Sequence, residues 1–176
     1  MSARKSKMLT AAVVAGFMAS VAIAGDTGLS PGDRAFLNEA AQGNQMEVAA
    51  GKLAAQRAMD PTVKQFGERM VSDHSAANDA LKALADSKQM PLADSVSEEG
   101  HTALGKLEGL NGTEFDKAYS QMMVKDHVTD ISEFEKQAAK KDADADVKAY
   151  AQQTLPTLRH HLMLANRLNL AQKKSP

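Results

Sequence analysis

The chain has 176 residues, with 21 Lys and Arg against 22 Asp and Glu, a formal charge of −1, and neither cysteine nor tryptophan. Without cysteine, disulfides, thiolate catalysis, iron–sulfur clusters and cysteine zinc sites are excluded. The near-neutral balance argues against nucleic acid and anionic lipid as partners, and the abundance of Ala, Leu and Met is a helical composition.

The N-terminus reads as a cleavable signal. Arg4, Lys5 and Lys7 precede the apolar run Met8 to Val21, and Ala22-Ile23-Ala24 matches a small-x-small cleavage site. The run is too short and alanine-rich to span a membrane. Cleavage after Ala24 leaves 152 residues, 18 basic against 22 acidic, with no transmembrane segment. Export to the periplasm or outer membrane is the expected localisation. The expected organisation is a signal peptide over 1–24, a flexible leader over 25–30, one helical domain over 31–172 and a disordered tail over 173–176.

Ser30-Pro31 opens the first helix, with Ser30 as cap and Pro31 in the first turn. Its stripe runs Phe36, Ala40, Gly43, Glu47, Ala50, Ala54. Asp60-Pro61 restarts a second helix with the stripe Val63, Phe66, Met70, His74, Ala77, Leu81, Leu84. A long connection follows from Pro91 to Gly112. Ser95-x-x-Glu98 resembles a capping box and predicts a short helix to about Leu107. Thr113-x-x-Asp116 is the expected cap of a third long helix carrying Tyr119, Met123, His127, Ile131 and Phe134. Asp144 is placed to cap the fourth, whose stripe is Val147, Ala151, Thr154, Leu158, His161, Ala165 and Leu168. Pro156 lies inside that helix, where a kink is expected. The fold class is therefore all-α: a four-helix bundle with a long crossover carrying a short helix between long helices 2 and 3, a ferritin-like connectivity.

Met-Val-x-Asp-His occurs twice, ending at His74 and at His127, with an aromatic eight residues before each histidine. Height along a hairpin follows from a rise of about 1.5 Å per residue. Glu47 lies 13 residues before the turn at Asp60 and His74 lies 14 after it; His127 lies 16 before Ala143 and His161 lies 18 after it. All four fall at mid-helix and on the apolar stripe, where an ionisable group is costly unless paired or ligated.

Two readings stay open. Glu47, His74, His127 and His161 form a cage for one borderline transition-metal ion (iron, zinc, copper or manganese), or they form a metal-free network that sets helix register. Asp73, Asp126 and His160 are the candidates for the outer shell around those four. His160 sits about 100° around the helix from His161 and reads as a rim residue. Met46, Met70, Met123 and Met163 lie near the layer; they read as core filler, although thioether sulfur would favour copper(I). No Gly-x-Ser-x-Gly elbow, nucleophile–base pair or phosphate loop appears, so no reaction is read from the chain, and no motif names a protein partner.

The phrases Gly43-x-x-x-Glu47, Met70-Val71-x-Asp73-His74, Phe115-Asp116-x-x-Tyr119, Met123-Val124-x-Asp126-His127 and Leu155-Pro156-x-Leu158-x-x-His161-Leu162 occur in this order. As a set, spanning about Asp33 to Arg167, they resemble the bacterial exported family catalogued as "domain of unknown function 4142". The resemblance implies a ferritin-like bundle and export, with members often labelled periplasmic or outer-membrane proteins. It places Glu47, His74, His127 and His161 in the family pattern and supplies no activity. Di-iron ferritin sites need Glu-x-x-His on two helices. Here Val71, Val124 and Leu158 stand three residues before the histidines, so a single ion is the better expectation, with a role in storage, detoxification or stress protection.

Overall fold

The computed structural model describes residues 28–173. The expected signal peptide, the leader up to residue 27 and the tail from residue 174 lie outside that range. Five helices follow in order: α1 Pro31–Arg57, α2 Pro61–Ser87, α3 Glu98–Glu108, α4 Gly112–Ala139 and α5 Ala145–Gln172. Among the described residues no helix is long and apolar enough to cross a membrane.

The starts of three long helices follow from the sequence. Ser30 accepts from the Asp33 amide at 3.1 Å, Asp60 from the Thr62 amide at 2.8 Å, and Asp144 from the amides of Asp146 and Val147. Each meets a donor that the helix itself leaves unpaired. The other two starts differ from expectation. Ser97, not Ser95, caps α3 by accepting from Gly100, which places Glu98 and Glu99 in the first turn beside the positive end of the dipole. The α4 cap position is Asn111, with no side-chain bond. Asp116 is instead drawn across the bundle, where it accepts from the amides of Met59 and Asp60 at 3.1 and 2.8 Å.

Contacts at the two ends fix the direction of each rod. At one end buried Asp33 accepts from Gln137 at 2.7 Å, from Lys140 at 3.2 Å and from the Asp144 amide at 3.3 Å. Lys88 pairs there with Asp144 and Asp146, both at 2.7 Å. At the other end Gln172 donates to Asp60 at 2.9 Å. Helices α1 and α5 therefore begin at one end, and α2 and α4 at the other.

The crossover runs the length of the bundle to connect two helices that begin together, a one-crossover connectivity. It opens where α2 ends in a Schellman turn. Gln89 takes φ 53° and Met90 donates back to the Ala85 carbonyl at 2.9 Å. The segment then lies along α1, tied by Asn38 to the Ala93 amide and by Gln45 to the Ala93 carbonyl. Arg57 meets the carbonyl of Glu108 as it closes.

Apolar side chains form two clusters rather than one. The first holds Leu29, Phe36, Leu37, Leu81, Phe134, Tyr150 and Leu158; the second holds Ala50, Ala54, Phe66, Met70, Met123 and Ala165. In the second, α1 and α2 approach at Gly51 and Gly67. A Cβ on Gly51 would lie 2.6 Å from the Gly67 carbonyl oxygen, so only glycine permits that spacing. Helix α5 continues through Pro156 without interruption. The gap between the two clusters falls at Asn44, Glu47, His74, His127 and His161, all buried.

Candidate metal centre

Each long helix contributes to this layer from its middle. Exposure is 1% for Glu47, 3% for His74 and 0% for both His127 and His161. The ring centroids of the three histidines are 5.3 to 5.7 Å apart. Each ring offers a nitrogen, and the three nitrogens lie within 4.8 Å of one another. Tetrahedral coordination at about 2.0–2.1 Å places nitrogens roughly 3.4 Å apart, so a contraction on the order of 1 Å would close the set.

The proton on each ring is fixed by its neighbour. His74 donates from Nδ1 to Glu47 Oε2 at 2.8 Å, with Asn44 Oδ1 at 3.0 Å. His127 donates from Nδ1 to the Met123 carbonyl at 2.9 Å and lies 3.3 Å from Glu47 Oε1. His161 donates from Nε2 to Asp73 Oδ2 at 2.9 Å. Carboxylates and carbonyls only accept, so these nitrogens carry the hydrogens. The opposite nitrogens, Nε2 of His74, Nε2 of His127 and Nδ1 of His161, have no hydrogen-bond partner among the described residues. In a neutral ring that nitrogen is the lone-pair donor, oriented by the bond made on the other side.

The charges sort along the same lines. Burial pushes the His161 imidazole down to about 4, against the opposing pull of Asp73, and burial also lowers His127 despite the Glu47 charge. Burial would lower His74 too, but the charge and hydrogen bond of Glu47 outweigh it and hold the ring above its ordinary value. Glu47 is conversely held below the usual carboxylate range: burial opposes, and the charges of His74 and then His127 prevail. Glu47 and His74 thus each favour the charged form of the other, beside two imidazoles whose burial favours the neutral form.

Of the residues singled out from sequence, the structure brings His74, His127 and His161 together through ring nitrogens, and sets the Glu47 carboxylate against the protonated sides of His74 and His127. Asp73 bonds His161 on α5 rather than its own neighbour His74, because adjacent helical residues face about 100° apart. Asp126 bonds no histidine; its carboxyl is pushed up to about 6 by burial and then by the Glu47 charge. His160 is exposed. Met163 is 41% exposed, and Met70 and Met123 pack into the second apolar cluster.

Three participants escaped the sequence reading. Asn44 lies on the Glu47 face one turn earlier, a polar residue among apolar ones and in principle detectable. The Met123 carbonyl is backbone and leaves no trace in residue type. Asp130, one turn beyond His127, is pushed up to about 9 by burial and by the charges of Glu47, Asp126 and Glu133.

The sequence pattern of the family described as Domain of unknown function (DUF4142) matches residues 18–168, and the chain belongs to that family. No curated protein matches it significantly. Two solved structures share its fold. A DUF305 fragment from Deinococcus radiodurans superposes with a TM-score of 0.68 at 15% identity, covering 80% of this chain and 97% of that one. A DUF305 protein from Streptomyces coelicolor, described as a candidate secreted protein, gives 0.68 at 13% identity, covering 81% and 94%. At such identities the likeness shows the fold alone.

Proposed function

We propose that this DUF4142 member is an exported bundle that holds one transition-metal ion in its core through His74, His127 and His161. One observation carries the reading: three buried imidazoles from three helices, each held by an acceptor on one nitrogen, with the other nitrogen unpartnered. A buried polar atom without a partner costs about 1–3 kcal/mol, so three in one place is expensive unless they serve a ligand. Glu47 supplies the counter-charge, neutralising part of a divalent cation while fixing two of the rings. An all-imidazole donor set suits zinc, copper, iron or nickel, and no methionine sulfur is needed. Loading needs Nε2 of His74 free of a proton, so uptake competes with protonation of that ring and weakens in acid. Sequestration for storage or detoxification in the envelope fits a site whose three histidines are all buried. Export rests on the signal-like pattern of residues 4–24 and agrees with the description of the Streptomyces neighbour.

Metal analysis of untagged protein purified from its own compartment tests the reading. About one equivalent of metal is expected, lost on His127→Gln in a protein that still melts cooperatively. Trace metal, together with a melting temperature indifferent to Zn²⁺, Cu²⁺ and chelator, would overturn it.

The second reading is favoured by the 2.8 Å contact between Glu47 and His74, in which each partner supports the charged form of the other without metal. There the layer only fixes helix register. It requires that the triple substitution Glu47→Gln, His74→Asn, His127→Asn leave the biological phenotype intact.

A further inference from the structure

Glu47 and His74 are reached from outside by a cleft between α1 and α4. Its walls carry Glu39 on α1 and Asp130 and Glu133 on α4; Asn44, Glu47 and His74 form its floor. The free volume is about 10 Å³, room for roughly one water-sized sphere. Gly43 lies on the wall one turn before Glu47, and a Cβ built there would meet nothing within 4 Å. Gly43 adds no side chain to that wall.

Two independent features point to a cation. First, the polar atoms of the floor are incompletely satisfied. Glu47 Oε1 accepts no hydrogen bond, although His127 Nδ1 lies 3.3 Å away, and Asn44 Nδ2 and His74 Nε2 have no partner. All three residues are more than nine-tenths buried. Second, the wall gathers carboxyl groups that oppose one another's ionisation: burial and then Glu39 raise Glu133, and burial and then Glu47, Asp126 and Glu133 push Asp130 up to about 9, so Asp130 holds a proton at neutral pH that an arriving cation would replace. The nearest opposing charges are Lys136, toward Glu133, and Lys125, toward Asp126. Neither Glu39, Asp130 nor Glu133 forms an ion pair among the described residues. Carboxyl groups crowded in a narrow low-dielectric cleft favour a cation that takes the place of the protons they hold. A passage one water wide forces an ion to shed most of its shell, and oxygen donors must then replace those waters.

We propose that the α1–α4 cleft is the approach path for a divalent cation, which passes from Glu39 and Glu133 to Asp130 and then to Glu47 before reaching the three imidazoles. The wall carboxylates act as transient oxygen ligands, not as the resting site. This rests on the metal reading above and adds to it a direction and a rate.

Stopped-flow uptake of Co²⁺, followed by its visible d–d bands, tests the path. Glu39→Gln/Asp130→Asn/Glu133→Gln removes the carboxyl groups; Gly43→Leu plugs the passage without altering charge. A control that also removes three carboxyl groups, Glu98→Gln/Glu99→Gln/Glu108→Gln, lies on exposed positions of α3. The cleft triple is expected to slow association about ten-fold or more, within the range of electrostatic steering, while the control changes it by less than about two-fold. Gly43→Leu should slow association and release together, leaving affinity nearly constant. Each variant is first shown to melt cooperatively; if the triple does not fold, Gly43→Leu gives the result by itself. Unchanged rates in a folded cleft variant, or equal slowing by the control, overturn the path while leaving the metal site standing. Absence of any Co²⁺ spectrum in the wild type overturns the metal reading, and the path with it.

Discussion

His161 makes acid stability a sensitive probe of the polar layer. Its ring is fully buried and its proton affinity falls from 6.5 to about 4. The unfolded chain therefore takes up a proton near pH 6.5 that the folded chain refuses until about pH 4. The contribution of His161 is fully present above 6.5 and declines as pH falls from 6.5 to 4, below which the loss is complete. At 1.36 kcal/mol per pH unit the total is about 3 kcal/mol. His74, held above its ordinary value, works in the opposite sense: its contribution is present below 6.5 and lost as pH rises through its folded value. His161→Gln removes the first titration, keeps an amide able to donate to Asp73 and leaves His74 in place. Urea unfolding of metal-free wild type and His161→Gln, at half-unit steps from pH 7.5 to 4, isolates the difference. The gap between the two should shrink by about 3 kcal/mol on acidification, equivalent to roughly 10 °C in melting temperature for a domain of this size. Parallel pH profiles would refute the claim that this imidazole is buried neutral.

Other consequences follow from the packing. Asp33 is buried among Ser30, Gln137, Lys140 and the Asp144 amide, and these hydrogen bonds outweigh burial to bring its carboxyl down to about 2. Asp33→Ala should cost about 3 kcal/mol at neutral pH in urea titration. That contribution is present above the unfolded value of 3.8 and is lost as pH falls toward 2, so wild type and variant should converge in acid. Gly51→Ala drives a Cβ to within 2.6 Å of the Gly67 carbonyl oxygen and should lower stability by about 1–3 kcal/mol. Gly43→Ala meets open space and should raise stability by up to about 1 kcal/mol through helix propensity; thermal melts of the two variants should move in opposite directions. Zinc at one hundred times its dissociation constant should add about 2.7 kcal/mol, reversibly with chelator and not at all in His127→Gln.

Local signals in the chain determined the helices. Caps at Ser30, Asp60 and Asp144 and the prolines after the first two are decided by the nearest few residues, and three- and four-residue apolar spacing reports which face is buried. Equal arm lengths on either side of two turns were enough to bring Glu47, His74, His127 and His161 to one height, because helical rise is nearly constant. The wrong caps on α3 and α4 show where that locality ends. Ser95 and Ser97 are chemically the same, and Asp116 is claimed by the amides of a turn 56 residues away.

Only the tertiary structure decided which ring nitrogen is held and which is left unpartnered. That depends on side-chain rotation and on acceptors drawn from other elements: Asp73 for His161 across the bundle, a backbone carbonyl for His127, Asn44 beside Glu47 for His74. It also decided that Glu39, Asp130 and Glu133 converge on one cleft, since α1 and α4 are separated in sequence by an entire hairpin arm and a crossover. Each rod's own residues decide what it presents; the azimuth of one rod against another is set by packing such as the Gly51–Gly67 contact, and that azimuth brings one nitrogen from each of three rings within 4.8 Å of the others.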